Sequence, residues 1–279
     1  MRHRLLVALL ALAVSAPLAA QTESNLYLPI ASWATPYVEH LVRAGVLTGL
    51  DPLTRPLRRA DVARAVAAVD TTKISASALS LVRLLARELE ERPDSVRWRL
   101  EENIALLGAS DARRWSLRPS LDSGGLYVDS AGIFPEAGLT ASLELPHLAL
   151  VTHPRIDNRL KYDPDYRGEK DRVISGRNDE AYVITSWRYL DVFFGIAARN
   201  WGPPEIEGLA LSTSPLPFDH LMVRLGPRRL RVEALAAQLD PLPLWDAVRP
   251  VNRYLSLHRL IAIPSEHVAV SLFEAAVYS

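Results

Sequence analysis

The sequence predicts a mainly β protein, an antiparallel transmembrane β-barrel over residues 110–279 with a small periplasmic helical bundle over residues 28–95. Three observations support this prediction. Apolar residues follow helical spacing as far as about residue 95. After about residue 110 they follow short alternating runs, which are typical of strands. The connections between those runs are alternately short and long, as in outer-membrane barrels.

The composition excludes several classes of protein. The 279 residues include no cysteine, which excludes disulfide frameworks, zinc–thiolate sites, cysteine nucleophiles and iron–sulfur clusters. The 32 basic side chains are balanced by 32 acidic ones, whereas a general nucleic-acid binder needs a basic excess. Hydrophobic residues make up 49% of the chain, which is too many for a disordered protein.

Residues 1–20 are typical of a secretory signal peptide. Arg2 and Arg4 supply the positive start, residues 5–16 form an apolar run, and small residues precede the expected cleavage site after Ala20. A membrane anchor is the alternative, but the run is too short to span a bilayer. We therefore expect a protein that is exported to the envelope of a Gram-negative cell.

Three short amphipathic helices are predicted in the first part. The first begins near Thr35-Pro36 and ends at Gly45, where a helix C-terminus favours a left-handed residue. The second covers about residues 59–69 and the third about residues 76–91. A bundle this small has little core of its own, so we expect it to pack against something larger.

Alternating runs predict about eight to ten strands in the second part. They cover residues 181–187, 191–199, 220–225, 230–239, 254–263 and 267–278, with weaker runs at 139–145 and 147–153 and one or two pieces between 115 and 128. Long connections at residues 154–180, 200–219 and 240–253 separate hairpins with very short turns. Compact soluble domains rarely carry several loops of this length. A soluble antiparallel sandwich is the alternative, because the barrel signal of each strand is weak.

The last hairpin allows one strand pairing to be predicted. A turn about Glu266 and His267 places Arg259 directly opposite Glu274, with apolar side chains opposite one another on the same face. Charged side chains are costly where a strand faces lipid. We therefore expect Arg259 and Glu274 to face the lumen together.

Sequence motifs for catalysis are absent. The chain has none of the common metalloprotease, serine hydrolase or nucleotide-binding signatures. Residues 163–168 fail as a calcium loop, because Arg167 and Ile174 stand where ligands belong. Glu205 and Glu207 would lie side by side in a strand rather than across a sugar bond, which disfavours a glycosidase. We expect no catalytic residue, no metal and no cofactor.

One motif offers the chemistry of sugar binding. Arg199, Asn200 and Trp201 end a predicted strand and open a long loop. Together they supply a guanidinium, an amide and a flat aromatic ring, which can stack on a sugar and hydrogen-bond to it. The alternative for Trp201 is the aromatic belt at a membrane interface. His258 lies in mid-strand, where a packed or hydrogen-bonded histidine is expected.

Two stretches resemble known families. Residues 33–66, which include 37–47 and 57–62, resemble an S-layer-homology-like helical module. The stretch 181–239 is similar to the capsule-assembly Wzi family. The resemblance is carried by Ala181-Tyr182-Val183, Trp187, Asn200-Trp201-Gly202-Pro203, Leu209-Ala210-Leu211-Ser212 and Pro215-Leu216-Pro217-Phe218. His258-Arg259-Leu260 and residues 273–278 resemble the hairpin that follows in that family.

The Wzi resemblance implies a lectin in the outer membrane that attaches capsular or exported polysaccharide to the cell surface without catalysis. It points to Asn200, Trp201, His258, Arg259 and Glu274, which with Arg199 are the candidate polysaccharide-binding residues. The implied partners are polysaccharide and outer-membrane lipid, without nucleic acid, and we expect a monomer. The family's barrel is larger, so we expect a C-terminally truncated member, with a barrel that closes with fewer strands as the alternative. The alternative is an exported envelope protein that binds cell-wall polymer beside a soluble antiparallel β-domain.

Overall fold

The computed structural model describes residues 24–89, 96–109, 113–115, 126–128, 132–162, 166, 168–203, 206–213, 217–242, 251–265 and 268–279. The predicted signal peptide at 1–20 lies outside these ranges. So do Arg167, Glu205 and the predicted turn residues Glu266 and His267.

Three helices form an N-terminal helical module, as the sequence predicted. They are α1 (Ala34–Arg43), α2 (Arg59–Ala67) and α3 (Ala76–Glu88). The short strands β1 (Tyr27–Leu28), which precedes α1, and β2 (Leu57–Arg58), which precedes α2, pair with each other. The predicted glycine ending of α1 is confirmed, since Gly45 has a φ of 70°. The amides of Gly45 and Val46 donate to the carbonyls of Val42 and Leu41, which is a Schellman motif.

The core of the helical module is made by the apolar stripes of its helices. Val38 and Leu41 of α1 pack with Val62 of α2 and Leu85 of α3, and all four side chains are buried. Burial of these stripes is the main force that holds such short helices in place, because isolated helices of this length are marginal in water.

The second part is one antiparallel sheet of nine strands, which confirms the mainly β prediction. The strands are β3 (Arg97–Ala109), β6 (Gly132–Leu145), β7 (Leu148–Asp157), β8 (Ser175–Ser186), β9 (Leu190–Ala197), β10 (Phe218–Leu225), β11 (Leu230–Leu242), β12 (Val251–Ser265) and β13 (Val268–Tyr278), in that spatial order. A separate hairpin pairs β4 (Arg113–Trp115) with β5 (Leu126–Val128). Strand β3 was not predicted, because it lies between the two parts that the sequence defined.

The connections of the sheet alternate as predicted. Short connections at residues 146–147, 187–189, 226–229 and 266–267 define its short-turn end. Longer ones at 110–131, 158–174, 198–217 and 243–250 define its long-loop end. In the described part of the chain, β3 and β13 each pair with one strand and form the two edges, so the sheet is not closed. No helix in the described ranges combines the length and hydrophobicity needed to cross a bilayer.

The two faces of the sheet differ in chemistry. The inner face packs against the helical module and carries a buried cluster that includes Tyr182, Phe193, Met222, Leu235 and Leu257. The outer face exposes apolar side chains, with Ile104 82% exposed and Leu272 64% exposed. Other exposed members of the outer face are Trp98, Leu100, Leu106, Ile133, Leu150, Ile156, Phe194, Leu221, Leu225, Val232, Leu260 and Val270.

The predicted pairing of Arg259 with Glu274 is wrong. Ser265 lies opposite Val268, which agrees with the predicted turn, but the register shifts between Ser265 and Ala262. As a result His258 lies opposite Glu274, and Arg259 lies opposite Phe273. A shift of one residue reverses the face of every side chain beyond it. Arg259 therefore lies on the inner face and Glu274 on the outer face.

Candidate functional site

Asn200 and Trp201 organise the loop that follows them. The side-chain amide of Asn200 donates to the Ile206 carbonyl at 2.8 Å, and its oxygen accepts from the Gly208 amide at 2.7 Å. The Trp201 amide donates to the Leu211 carbonyl at 2.9 Å. Residues 206–213, here called the wall loop, are thereby held against the end of β9.

The wall loop forms one side of a cleft at the long-loop end of the sheet. The cleft has a volume of about 620 Å³. It is lined by the wall-loop residues Gly208, Leu209, Ala210, Leu211 and Ser212 and by residues that include Tyr166, Arg177, Asn178, Phe218, Gln238 and Asp240. Aromatic rings, amides and charged groups thus share one concave surface, as in many ligand sites.

Three of the lining residues are suited to a polar ligand. The Tyr166 hydroxyl donates to the Gly176 carbonyl at 3.2 Å, which fixes its ring at the cleft. Asn178 lies opposite Pro154 and Gln238 lies opposite Tyr254, so both side chains start from the outer face of the sheet, at the rim of the cleft. Neither amide makes a hydrogen bond to any residue in the described ranges. An amide offers two donors and one acceptor carbonyl, so both groups can exchange water for the hydroxyls of a sugar.

Arg199 and His220 lie beneath Phe218, a lining residue of the cleft. Arg199 is buried, its Nε donates to His220 Nε2 at 2.6 Å, and its guanidinium lies 4.3 Å from the centre of the Phe193 ring. His220 Nδ1 donates to the Phe218 carbonyl at 2.9 Å. Because Nε2 accepts while Nδ1 donates, His220 is held as the neutral Nδ1–H tautomer.

Trp201 and Arg259 fasten the wall loop to the rest of the molecule. Trp201 is 7% exposed, and the guanidinium of Arg259 lies 5.0 Å from the centre of its ring. Arg259 also donates to Ser271 Oγ at 2.7 Å and to the Leu53 carbonyl of the helical module at 3.0 Å. The indole of Trp201 therefore packs in the interior rather than at the surface of the cleft.

The six candidate residues fall into two groups. Four of them come together on the inner side of the sheet, beneath the wall loop, namely Arg199, Asn200, Trp201 and Arg259. His258 and Glu274 lie on the outer face, where His258 Nδ1 is 2.8 Å from Glu274 Oε1. The first group supports the cleft and the second is separated from it by the sheet.

Buried ion pairs fix the helical module to the inner face at the short-turn end. Arg231 of β11 pairs with Asp51 of the module, and both side chains are buried. Arg224 pairs with Glu233 at 2.7 Å, and Arg259 approaches the same carboxylate at 3.7 Å. Such pairs are sensitive to the loss of one partner, because the other charge is then left buried alone.

The pKa of Asp51 reflects this setting. Burial alone would raise the pKa of its carboxyl group. The positive charge of Arg231 and hydrogen bonds from Thr54 and from the Leu53 amide oppose that effect, and the pKa lies below its ordinary value of 3.8. Asp51 is therefore an ionised partner for Arg231 at neutral pH.

The sequence singled out residues 209–212 and Phe218, which line the cleft, but it predicted neither Asn178 nor Gln238. Asn178 and Gln238 lie near strand ends, and no motif marks them. The sequence did contain an indication of the ion pairs on the inner face. Arg224 lies at an inward position of β10, and Arg231 and Glu233 lie at inward positions of β11. Charges repeated at the inward positions of neighbouring strands indicate an ion-pair network rather than an apolar core.

Comparison with known proteins adds no assignment. No known protein family, curated protein or solved structure matches the chain. Within the described ranges, no group of three or more histidine or carboxylate side chains is placed to hold a metal ion. The resemblance to the Wzi family stays a prediction.

Proposed function

We propose that this chain is an outer-membrane protein that attaches capsular or exported polysaccharide to the cell surface by non-catalytic sugar binding. The observation that supports the proposal most directly is the difference in chemistry between the two faces of the sheet. Its outer face is apolar and exposed, whereas its inner face is buried, combines an apolar cluster with ion pairs, and is bounded by the cleft. Outer-membrane barrels have this arrangement, with apolar side chains toward lipid and polar ones inside.

The outer face supports the membrane part of the proposal. Soluble proteins rarely expose a contiguous apolar surface of this extent. Aromatic side chains also occur near both ends of the face, as in the girdles of membrane barrels. Trp98 and Trp187 lie at the short-turn end, and Tyr254 stacks on Tyr278 at the long-loop end, with ring centres 5.8 Å apart.

The direction of the strands limits how such a sheet can form a closed barrel. Nine antiparallel strands alternate in direction, so β3 and β13 both run from the short-turn end to the long-loop end. Pairing them directly would make a parallel contact. An antiparallel barrel that contains this sheet therefore has an odd number of further strands between β13 and β3.

The placement of the cleft supports the sugar-binding part. The long loops of outer-membrane barrels are extracellular and their short turns are periplasmic. The cleft lies among the long loops that contain Tyr166 and the wall loop. The helical module also contacts the opposite end, where Arg228 of a short turn donates to the Gly49 carbonyl at 3.1 Å. Its segment at Arg55 reaches the backbone of Asn200 on the long-loop side. Sugar would bind outside, and the helical module would lie in the periplasm.

The proposal is tested by removing the two free amides of the cleft. The double variant Asn178→Ala, Gln238→Ala should release exported polysaccharide that cells with the original chain retain. The readout is hexose in the cell pellet compared with hexose in the culture supernatant. Asn103→Ala is the matched control, because Asn103 lies on β3 and does not line the cleft.

Two results would contradict the proposal in different ways. Unchanged retention by the double variant, with normal amounts of protein in the outer membrane, would exclude sugar binding by the cleft amides. Recovery of the chain in the soluble periplasmic fraction would exclude the membrane part and favour the alternative of a soluble envelope protein.

A further inference from the structure

We propose that the outer surface of β12 and β13 is a contact site for a second copy of this chain, centred on His258 and Glu274. The proposal rests on the membrane location proposed above. It departs from the monomer that the sequence analysis expected. Its basis is a polar pair that interrupts an otherwise apolar surface.

The position of the pair is unusual for a surface that faces lipid. Apart from Asp219 and Asp240 near the long-loop end, the outer-face side chains of strands β6 to β11 in the described ranges are uncharged and mostly apolar. His258 and Glu274 lie opposite each other in mid-strand, between the row of Leu260 and Leu272 and the stacked rings of Tyr254 and Tyr278. Lipid chains offer such groups no hydrogen bond, which makes their exposure costly.

One other charged side chain lies on this face in mid-strand within the described ranges. Glu102 on β3 lies opposite Leu139, so it has no polar neighbour directly across on the paired strand. His258 and Glu274 instead present an acid and a base together, at a hydrogen-bonding distance of 2.8 Å. Among the described strands, only the surface of β12 and β13 therefore carries both halves of a complementary contact.

Small residues surround the polar pair. Ala234 lies beside His258 in the next strand, and Ala236, Ser256 and Ala276 form the adjoining row across β11, β12 and β13. Small side chains at membrane contacts let two backbones approach closely, and polar side chains there join the partners. Here the small residues flank His258 and Glu274, which would otherwise expose polar atoms to lipid.

A second copy supplies that partner by symmetry. The bond inside one chain uses His258 Nδ1 and Glu274 Oε1, and leaves His258 Nε2 and Glu274 Oε2 without a bond to described residues. A two-fold axis along the membrane normal makes the contact self-complementary, so that His258 of each copy meets Glu274 of the other.

Cysteine cross-linking tests this contact, because the chain has no cysteine of its own. The full chain with Ser256→Cys, in outer-membrane vesicles treated with a short bismaleimide, should give a covalent dimer. Thr152→Cys is the matched control, since Thr152 lies on the outer face of β7, away from the polar pair. Adding His258→Leu and Glu274→Leu to Ser256→Cys should lower the dimer yield by about three- to tenfold.

The outcomes separate this proposal from the proposed function. A chain that reaches the outer membrane but gives no dimer through Cys at position 256 overturns the contact alone. Equal cross-linking from positions 152 and 256, or a dimer yield that does not change when His258 and Glu274 become leucine, also overturns it. A chain that is not in the outer membrane overturns both proposals.

Discussion

The backbone of Asn200 pairs with the backbone of Arg55 in both directions, with N···O distances of 2.8 and 3.1 Å. Arg55 belongs to the helical module, where its Nε donates to Glu39 of α1 at 2.7 Å. The side chain of Asn200 holds the wall loop through Ile206 and Gly208. Asn200 thus ties the cleft wall at the long-loop end to the helical module, in addition to the link through Trp201 and Arg259.

Replacement of Asn200 by alanine should loosen the wall loop. The change removes one donor and one acceptor and leaves two backbone groups without their partners, which costs about 1–3 kcal/mol. We expect faster proteolysis within residues 203–213 and lower retention of polysaccharide, with normal insertion in the outer membrane. Asn200→Asp is the informative comparison, because it keeps the acceptor for the Gly208 amide and loses the donor to Ile206. Equal protection of the wall loop in all three proteins would contradict this role.

Gly208 should not tolerate a side chain. A Cβ atom at this position would lie 2.5 Å from the carbonyl oxygens of both Trp201 and Leu211, so the backbone itself would have to move. Gly208→Ala should therefore widen the wall loop and reduce polysaccharide retention. Gly108→Ala is the control, since a Cβ there has nothing within 4 Å and strand geometry is kept. If both variants retain polysaccharide equally, the close approach at Gly208 does not shape the cleft.

The alternation of hydrophobicity was enough to predict the strands and their connections, because a strand with one apolar face must follow a period of two. It could not predict the bulge between Ala262 and Ser265, since no residue type requires a bulge. That single shift placed Glu274 opposite His258 on the outer face instead of opposite Arg259 on the inner face. The cleft was also beyond prediction, because Tyr166, Asn178 and Gln238 are far apart in sequence and only the fold brings them together.

The membrane location can be tested on the outer face itself. Leu221 lies in β10 with Phe194 and Ala236 beside it on the outer face. An arginine that faces lipid near mid-depth costs about 2–4 kcal/mol, so Leu221→Arg should lower the yield of folded protein in the outer membrane. The same change at Leu209, a wall-loop residue that is 99% exposed, should have little effect on insertion.

The readout for both arginine variants is the fraction of protein in outer-membrane vesicles that migrates faster on a gel before heating. Water solvates an exposed arginine well, so a soluble β-domain would accept Leu221→Arg as easily as Leu209→Arg. Equal yields of the two variants would therefore contradict a lipid-facing surface at β10.

Asp51 should contribute stability that depends on pH. Its pKa in the folded protein lies below the ordinary value of 3.8, chiefly because Arg231 and two hydrogen bonds outweigh the effect of burial. A carboxyl group with a lowered pKa stabilises the fold fully above its ordinary pKa, and that contribution is lost as the pH falls through the lowered value. In the Asp51→Asn variant, the loss of unfolding free energy that protonation of Asp51 causes below about pH 4 should be absent.

At neutral pH the Asp51→Asn variant leaves Arg231 buried without its carboxylate partner, which should cost about 3 kcal/mol of the free energy of unfolding. Asp70→Asn is the control, because Asp70 pairs with Lys73 at 2.8 Å on an exposed surface, where an ion pair contributes little. Urea titrations of the detergent-solubilised proteins at pH 7 and pH 3 give both quantities. If Asp51→Asn unfolds at the same urea concentration as Asp70→Asn at pH 7, the pair with Arg231 does not fasten the helical module to the sheet.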